Sequence, residues 1–174
     1  MPESPQPIRL WSLANRLERF FHGTPSGIDT GLAVLGGTQA FYFPEQRASG
    51  ELPRAYPRSA FPGWVVAASV PRRGSTKALV ASVRQQVEEQ ASAMSKLERL
   101  GGIALEAAEL LEERDSSRVV RECALRADEA QRILAEFELS HPIIERGLKA
   151  GKEAGALGGK LSGAGGGGAF YLIC

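Results

Sequence analysis

Cysteine, surplus charge and long apolar runs are all scarce in this chain of 174 residues. Its two cysteines, Cys123 and Cys174, are far apart in the sequence, which argues against a disulfide framework or a cysteine-based metal site. The 21 basic and 20 acidic side chains leave a formal net charge of +1, so we expect no binding to nucleic acid through bulk charge. No apolar run approaches the roughly 20 residues that a membrane helix needs, and the first residues do not resemble a secretory signal. We therefore expect no nucleic-acid or membrane partner and a reducing, cytoplasmic location.

The chain does have the composition of a folded globular domain, with 43% hydrophobic and 24% charged residues. Apolar spacing predicts helices over about 8–21, 26–37, 75–114, 115–137 and 140–155, the third interrupted at Gly101-Gly102 and the last capped by Ser140. Strands are predicted at 38–43, 64–70, 156–161 and 169–174, and the segment 44–63, rich in proline and arginine, is predicted to be a loop. This order predicts a two-layer α+β fold, with helices packed on small antiparallel sheets.

The stretch "FFHGTPSGIDT", residues 20–30, places one acidic residue just after a glycine. Asp29 falls in the first turn of a predicted helix, where unpaired N–H groups and the helix dipole stabilise a negative charge. A carboxylate there can orient or deprotonate a hydroxyl beside a bound phosphate; the alternative is that Asp29 only helps to cap the helix. Glu18 lies one helical turn before His22, so these two side chains face the same way. Their spacing is equally compatible with a solvated glutamate and a structural histidine.

The stretch "KLSGAGGGGAFYLIC", residues 160–174, contains five glycines in six residues. Glycine reaches positive φ angles and removes side chains that would block a ligand, and successive N–H groups can then form an anion-binding nest. The pattern is neither the dinucleotide-binding glycine motif nor the P-loop, because no lysine follows and a strand, rather than a helix, comes next. A phosphate-binding loop and a flexible hairpin loop are both compatible with this pattern.

Together these stretches resemble the motifs of one family. Glu18-x-x-x-His22-Gly23-x-Pro25-Ser26-Gly27-x-Asp29 resembles the second motif of the mevalonate kinases. "KLSGAGGGGA" resembles the third motif of the superfamily of galactokinases, homoserine kinases, mevalonate kinases and phosphomevalonate kinases. Between them, "VPRRGSTKALVASVR", residues 70–84, is similar to a mevalonate kinase segment, with a small insertion. The resemblance implies ATP-dependent phosphorylation of the 5-hydroxyl of mevalonate, a step toward isoprenoid precursors, with ATP and Mg²⁺ as cofactors.

The resemblance also implies a role for each matching residue. Asp29 matches the catalytic base, and Glu18 matches a residue that helps to bind Mg²⁺. The acceptor alcohol is expected to contact three matching residues, which are His22, Ser26 and Thr76. The nucleotide phosphates are expected near five matching glycines, which are Gly163, Gly165, Gly166, Gly167 and Gly168.

The resemblance further implies how the chain is organised. Residues 1–9 are expected to be flexible, residues 10–60 to be a remnant of the kinase N-terminal domain carrying the second motif, and residues 61–174 to be an incomplete ferredoxin-like C-terminal domain carrying the third. The first motif of the superfamily, a Gly-Leu-Gly-Ser-Ser-Ala phosphate loop, has no match in the sequence. Three alternatives follow: half of a kinase that a partner chain completes, a truncated relative without activity, or a binding module on the same scaffold. Homo-oligomers are compatible with each of them.

Overall fold

A computed structural model describes residues 6–22, 25–44, 51–72 and 74–174. Its elements, in chain order, are α1 (Pro7–His22), α2 (Ile28–Leu35), β1 (Thr38–Tyr42), β2 (Arg54–Arg58), β3 (Val65–Val70), α3 (Thr76–Glu89), α4 (Ala91–Leu110), α5 (Ser116–Glu136), α6 (Pro142–Glu153), β4 (Gly158–Leu161) and β5 (Gly168–Ile173). The chain divides into two compact units, residues 1–60 and 61–174. The predicted α+β class, with helices on small antiparallel sheets, is confirmed. Of the predicted flexible segment 1–9, residues 1–5 lie outside the described residues and 7–9 belong to α1.

Trp11 lies at the centre of the first unit. Its indole Nε1 donates a hydrogen bond of 2.9 Å to the carbonyl oxygen of Gly27, and its ring meets the ring of Phe41 edge to face at 6.0 Å. The ring also fills the space beside Gly31, where a Cβ atom would lie 2.6 Å from it. One aromatic side chain therefore fixes α1 against α2 and β1.

The strand β2 corrects the prediction that residues 44–63 form only a loop. It pairs antiparallel with β1 over five residues, with Ala40 opposite Tyr56. The rings of Tyr42 and Tyr56 pack edge to face at 5.3 Å, and Arg58 donates to the hydroxyl of Tyr42 at 3.4 Å. The prolines indicated a loop. In a two-stranded sheet, however, both strands are edge strands, and an edge strand tolerates a residue such as Pro57 that has no N–H to donate. Cross-strand aromatic packing decides the outcome here.

The second unit is built on a three-stranded antiparallel sheet in the order β3-β5-β4. In β5, Ile173 pairs with Val65 on one side and with Gly158 on the other. Two glycines of α6 admit the side chains of β5, since a Cβ atom would lie 2.6 Å from Phe170 at Gly147 and 2.3 Å from Leu172 at Gly151. Buried apolar residues from α5 and its C-cap, from α6 and from the sheet form the main core, including Ile133, Phe137, Ile144, Leu148, Leu161 and Phe170.

Helix α5 covers the outer edge of β4. Asp128 accepts a hydrogen bond of 3.0 Å from the backbone N–H of Gly159, and Gln131 accepts one of 2.8 Å from that of Leu161. Gly158 allows the close approach, since a Cβ atom there would lie 2.3 Å from the carbonyl oxygen of Ala124. Side chains of a helix thus satisfy the donors that an edge strand would otherwise leave open.

Two helix boundaries differ from the prediction. The helix predicted over 75–114 is interrupted at Gln90, which has an extended backbone. It is not interrupted at Gly101 and Gly102, which lie inside α4. Glycine inside a helix costs only about 1 kcal/mol relative to alanine, so packing overrides it. The cap of α6 is His141, whose Nδ1 accepts from the N–H of Ile143 at 3.2 Å, because Ser140 uses its hydroxyl on the side chains of Gln131 and Glu145 instead. None of the described helices combines the length and apolar character needed to cross a membrane.

Lys160 and Tyr171 are neighbours on one face of the sheet. The ammonium nitrogen of Lys160 lies 5.5 Å from the centre of the Tyr171 ring and donates to the carbonyl oxygen of Leu161 at 2.7 Å. Burial lowers the pKa of Lys160, and burial also raises the pKa of Tyr171 to about 12.

Replacing Tyr171 with phenylalanine should change the stability of the chain at high pH. The folded chain keeps the hydroxyl protonated up to about pH 12, whereas the unfolded chain releases that proton near pH 10. The stability that this group contributes is therefore complete below pH 10 and is lost as the pH rises to 12. We expect the wild type to lose about 2 kcal/mol more than Tyr171→Phe across this window, as measured by urea unfolding at fixed pH values. Lys160 is present in both proteins, so its titration affects their stabilities equally. Equal losses of stability in the two proteins would contradict the raised pKa of Tyr171.

Candidate functional site

Residues 25–27 of the second sequence motif lie directly before α2. Gly27 is buried, adopts a φ of +87° and stands immediately before α2. The hydroxyl of Ser26 accepts a hydrogen bond of 3.2 Å from the N–H of Ile28, and the hydroxyl of Thr30 donates to the carbonyl oxygen of Gly27 at 3.3 Å. A side chain at Gly27 would be strained, both by its left-handed backbone and by Pro53, 3.2 Å from the position of a Cβ. This turn fixes where α2 begins.

Asp29 is the second residue of α2, and its side chain is exposed. The first N–H groups of a helix point outward from its start and carry partial positive charge. The turn therefore presents the carboxylate to solvent at the positive end of α2, where it is open to a ligand hydroxyl. This is the position that the sequence predicted for it.

Glu18 and His22 both lie on α1, the helix that leads into this turn. Glu18 is half-buried, while the side chain of His22 is outside the described part of the structure. Across residues 6–22, 25–44, 51–72 and 74–174, no three His, Cys, Asp or Glu side chains form a cluster that could hold a metal ion. A magnesium ion bound with a nucleotide usually takes only one or two protein carboxylates, and phosphate oxygens and waters complete its shell. Glu18 fits the role of such a single ligand.

Asn15 is a residue of this region that the sequence analysis missed. It is only 2% exposed, and its Oδ1 atom has no hydrogen-bond partner among the described residues. That oxygen lies 3.6 Å from the position of a Cβ on Gly27, so it faces the back of the turn. A buried oxygen without a hydrogen bond costs about 1–3 kcal/mol. The only sequence indication was that Asn15 follows Trp11 by four residues and so shares its buried helix face.

The third sequence motif connects β4 to β5 in the second unit. All five glycines have positive φ angles, between 67° and 109°: Gly163, Gly165, Gly166, Gly167 and Gly168. The centre of the loop lies directly on other backbone segments, since a Cβ atom on Gly165 would lie 2.3 Å from the oxygen of Leu139 and one on Gly167 would lie 2.4 Å from that of Pro71. Gly166 donates its N–H to Leu139 at 2.8 Å. Close packing therefore explains part of the glycine content, independently of any ligand.

Arg72 borders the exposed end of this glycine loop. Its Nη2 atom lies 3.0 Å from the position of a Cβ on Gly168 and 3.8 Å from that on Gly163. Its Nη1 atom donates to the hydroxyl of Thr76 at 3.4 Å. Thr76 is the first residue of α3, whose N-cap is Ser75. A guanidinium, the start of a helix and exposed loop backbone thus meet at one place, a combination suited to a phosphate group.

Arg72 is not among the residues that the sequence motifs indicated. Its proximity to glycines some 90 residues later depends on the pairing of β3 with β5, which places the end of one strand beside the start of the other. The only local indication was a basic residue at position 72, three residues before the helix cap Ser75. The candidate residues therefore form two groups, one per unit: Glu18, His22, Ser26 and Asp29 in the first, and Arg72, Thr76 and the glycine loop in the second.

Comparisons with known proteins cover both groups. The family model "GHMP kinases C terminal" matches residues 77–174. Mevalonate kinase of Thermococcus sibiricus is 31% identical over 169 residues, which make up 96% of this chain and 48% of that protein. Mevalonate kinase of Schizosaccharomyces pombe is 32% identical over 168 residues, covering 95% of this chain and 40% of that protein. The crystal structure of L. major mevalonate kinase in complex with R-mevalonate superimposes with a TM-score of 0.78 at 23% identity, covering 97% of this chain and 50% of that one.

These comparisons confirm the resemblance that the motifs indicated. The chain spans about half the length of the curated relatives that it matches. The family match takes in all of α3 through β5 apart from Thr76. This chain belongs to the GHMP kinases, and residues 77–174 match the C-terminal domain of that family.

Proposed function

We propose that this chain carries the acceptor-activating residues and part of the phosphate-binding surface of an ATP-dependent mevalonate kinase. The observation that carries the proposal is the Ser26–Gly27 turn, which presents the exposed Asp29 at the start of α2. The relatives named mevalonate kinase support mevalonate as the acceptor, as does the R-mevalonate bound in the L. major structure.

In this proposal Asp29 orients the 5-hydroxyl of mevalonate and accepts its proton as the oxygen attacks the γ-phosphorus of ATP, while the bond to the bridging oxygen breaks and ADP leaves. Glu18 would hold Mg²⁺, which neutralises phosphate charge when it is bound with ATP. His22, Ser26 and Thr76 would contact the acceptor. Phosphoryl transfer requires mainly positioning and charge stabilisation, so these few groups are of the right chemical kinds.

The phosphates are proposed to bind in the second unit, at Arg72, the start of α3 and the exposed N–H groups of the glycine loop. The glycines considered are Gly163, Gly165, Gly166, Gly167 and Gly168. Gly163 is exposed, and a Cβ atom there would meet no backbone, whereas the N–H of Gly166 is bonded to Leu139. The end of the loop near Gly163 and Arg72 is therefore the part best suited to a phosphate.

The test is a calorimetric titration of the purified chain with mevalonate and with Mg-ATP, followed by a turnover assay. Because the Gly-Ser-Ser phosphate loop has no match here, turnover is expected only when the unmatched half of a mevalonate kinase is supplied as a second polypeptide. We expect mevalonate to bind the chain alone and phosphomevalonate to form in the mixture. No binding and no turnover in either case would reject the proposal and favour a non-catalytic binding module.

Replacing Arg72 with alanine should weaken the binding of Mg-ATP. The guanidinium is exposed, so we expect a loss of about tenfold, or roughly 1.4 kcal/mol, typical of one charge-assisted contact to phosphate. Calorimetry on the assembly that binds Mg-ATP gives the affinity directly. Arg84→Ala, which removes an exposed arginine from α3, is the matched control and should leave the affinity unchanged. An equal effect of the two substitutions would mean that Arg72 acts only through overall charge.

A further inference from the structure

Helix α1 carries a row of exposed apolar side chains along the face that points away from its own unit. Leu10, Leu13, Leu17 and Phe20 are 43%, 52%, 54% and 85% exposed. Their spacing of three, four and three residues brings them onto one side of the helix. Trp11 is 3% exposed and lies on the opposite side, where it packs against α2 and β1. We call these four residues the α1 stripe.

A single exposed leucine on a protein surface is ordinary, but a continuous row is not. The outward face of a helix in water normally carries charged and polar side chains. Four large apolar side chains over three turns are the pattern by which a helix packs into a hydrophobic surface. The α1 stripe therefore marks an interface that this unit does not complete by itself.

The charges beside the stripe indicate what covers it. Arg9, Arg16 and Arg19 are exposed, and helical spacing places Arg9 and Arg16 along one border of the stripe, with Arg19 just beyond. A second copy of this chain packed antiparallel on the stripe would bring like charges together, which disfavours association. A surface with an apolar centre and an acidic rim matches the stripe and its border.

The lengths of the relatives indicate which polypeptide covers the α1 stripe. About half of the Thermococcus sibiricus enzyme and of the L. major chain has no counterpart in these 174 residues. We propose that the α1 stripe is the docking surface for the polypeptide segment that supplies this unmatched half, through an apolar face with an acidic border. The inference rests on the proposed function only in treating the chain as one half of a kinase, since docking is measurable without catalysis.

The experiment mixes the purified 174-residue chain with the unmatched half of Thermococcus sibiricus mevalonate kinase, expressed as a separate polypeptide. Light scattering after size-exclusion chromatography should show a one-to-one complex, and sedimentation should give its dissociation constant. The double variant Leu13→Glu/Leu17→Glu should weaken the complex at least 100-fold. Leu125→Glu, at an exposed leucine of α5, is the matched control and should not.

A second pair of variants keeps the test valid if the glutamates unfold α1, as circular dichroism would show. Arg16→Glu/Arg19→Glu retains the leucines and should weaken the complex about tenfold, while Arg121→Glu on α5 should not. The absence of a complex, or one insensitive to both double variants, would overturn the proposal. So would a homodimer through the stripe, or binding to vesicles of three parts phosphatidylcholine and one part phosphatidylserine in place of the kinase half. A complex that forms but does not turn over counts against the proposed function alone.

Discussion

Asp29→Asn should lower phosphorylation of mevalonate about a thousandfold in the assembly that turns over, while mevalonate still binds. A positioned general base contributes between about a hundredfold and ten-thousandfold to a rate, and asparagine keeps the size of the side chain but cannot accept the proton. Asp29 is exposed at the second position of α2, so the substitution disturbs no buried contact. The rate is measured from phosphomevalonate formed under saturating Mg-ATP.

Two controls separate the chemistry from general effects. Glu88→Gln removes an exposed carboxylate from α3 and should leave the rate unchanged. Urea unfolding should give Asp29→Asn the stability of the wild type to within about 0.5 kcal/mol, as for ordinary surface substitutions. If Asp29→Asn turned over as fast as the wild type, Asp29 would be only a helix-start residue, the alternative that its spacing also allows.

Gly165→Ala should destabilise the second unit by about 3–4 kcal/mol, one of the larger effects of a single methyl group. Two costs combine, because Gly165 has a φ of +85° and a Cβ atom would lie 2.3 Å from the carbonyl oxygen of Leu139. That oxygen also accepts the N–H of Gly166, so it cannot retreat without losing a hydrogen bond. Urea unfolding followed by circular dichroism gives the difference.

Gly163→Ala is the matched control, because its φ of +79° is similar but a Cβ atom there meets only the end of the Arg72 side chain, 3.8 Å away. We expect it to cost about 1 kcal/mol, the backbone part alone. The difference between the two alanines then measures the contact with Leu139. Equal losses would show that the loop moves off Leu139 easily, and that its glycines serve conformational freedom rather than close packing.

Local patterns predicted the parts of this fold that local chemistry determines. Ser75 caps α3 and Asp115 caps α5, at the residues where the sequence predicted that these helices begin, because a side-chain oxygen before a helix meets only N–H groups two or three residues ahead. The strand β2 was missed because its stability comes from pairing with β1, which a proline-rich composition conceals. The cap at His141 was missed for a similar reason, since Ser140 is bonded to Gln131 on another helix.

The residues of the candidate site also differ in whether local sequence could predict them. The motif around Asp29 is continuous in sequence, so the helix start beside Asp29 could be predicted from neighbouring residues. Arg72 could not, because it reaches the glycine loop only through the pairing of β3 with β5. The buried Oδ1 of Asn15 was equally hidden, since burial of one face of α1 depends on α2 and β1.

The pairing of β3 with β5 also determines the order in which the second unit can form. Val65 is opposite Ile173, so the ends of this ladder are separated by roughly 100 residues, and closing so long a loop is entropically slow. The hairpin of β4 and β5 and the helices α3 to α6 are local and can form within microseconds. During synthesis on the ribosome, β3 cannot pair with β5 until all of these segments have emerged. Until then the exposed apolar residues of β3 and the neighbouring Trp64 can bind chaperones or form non-native contacts.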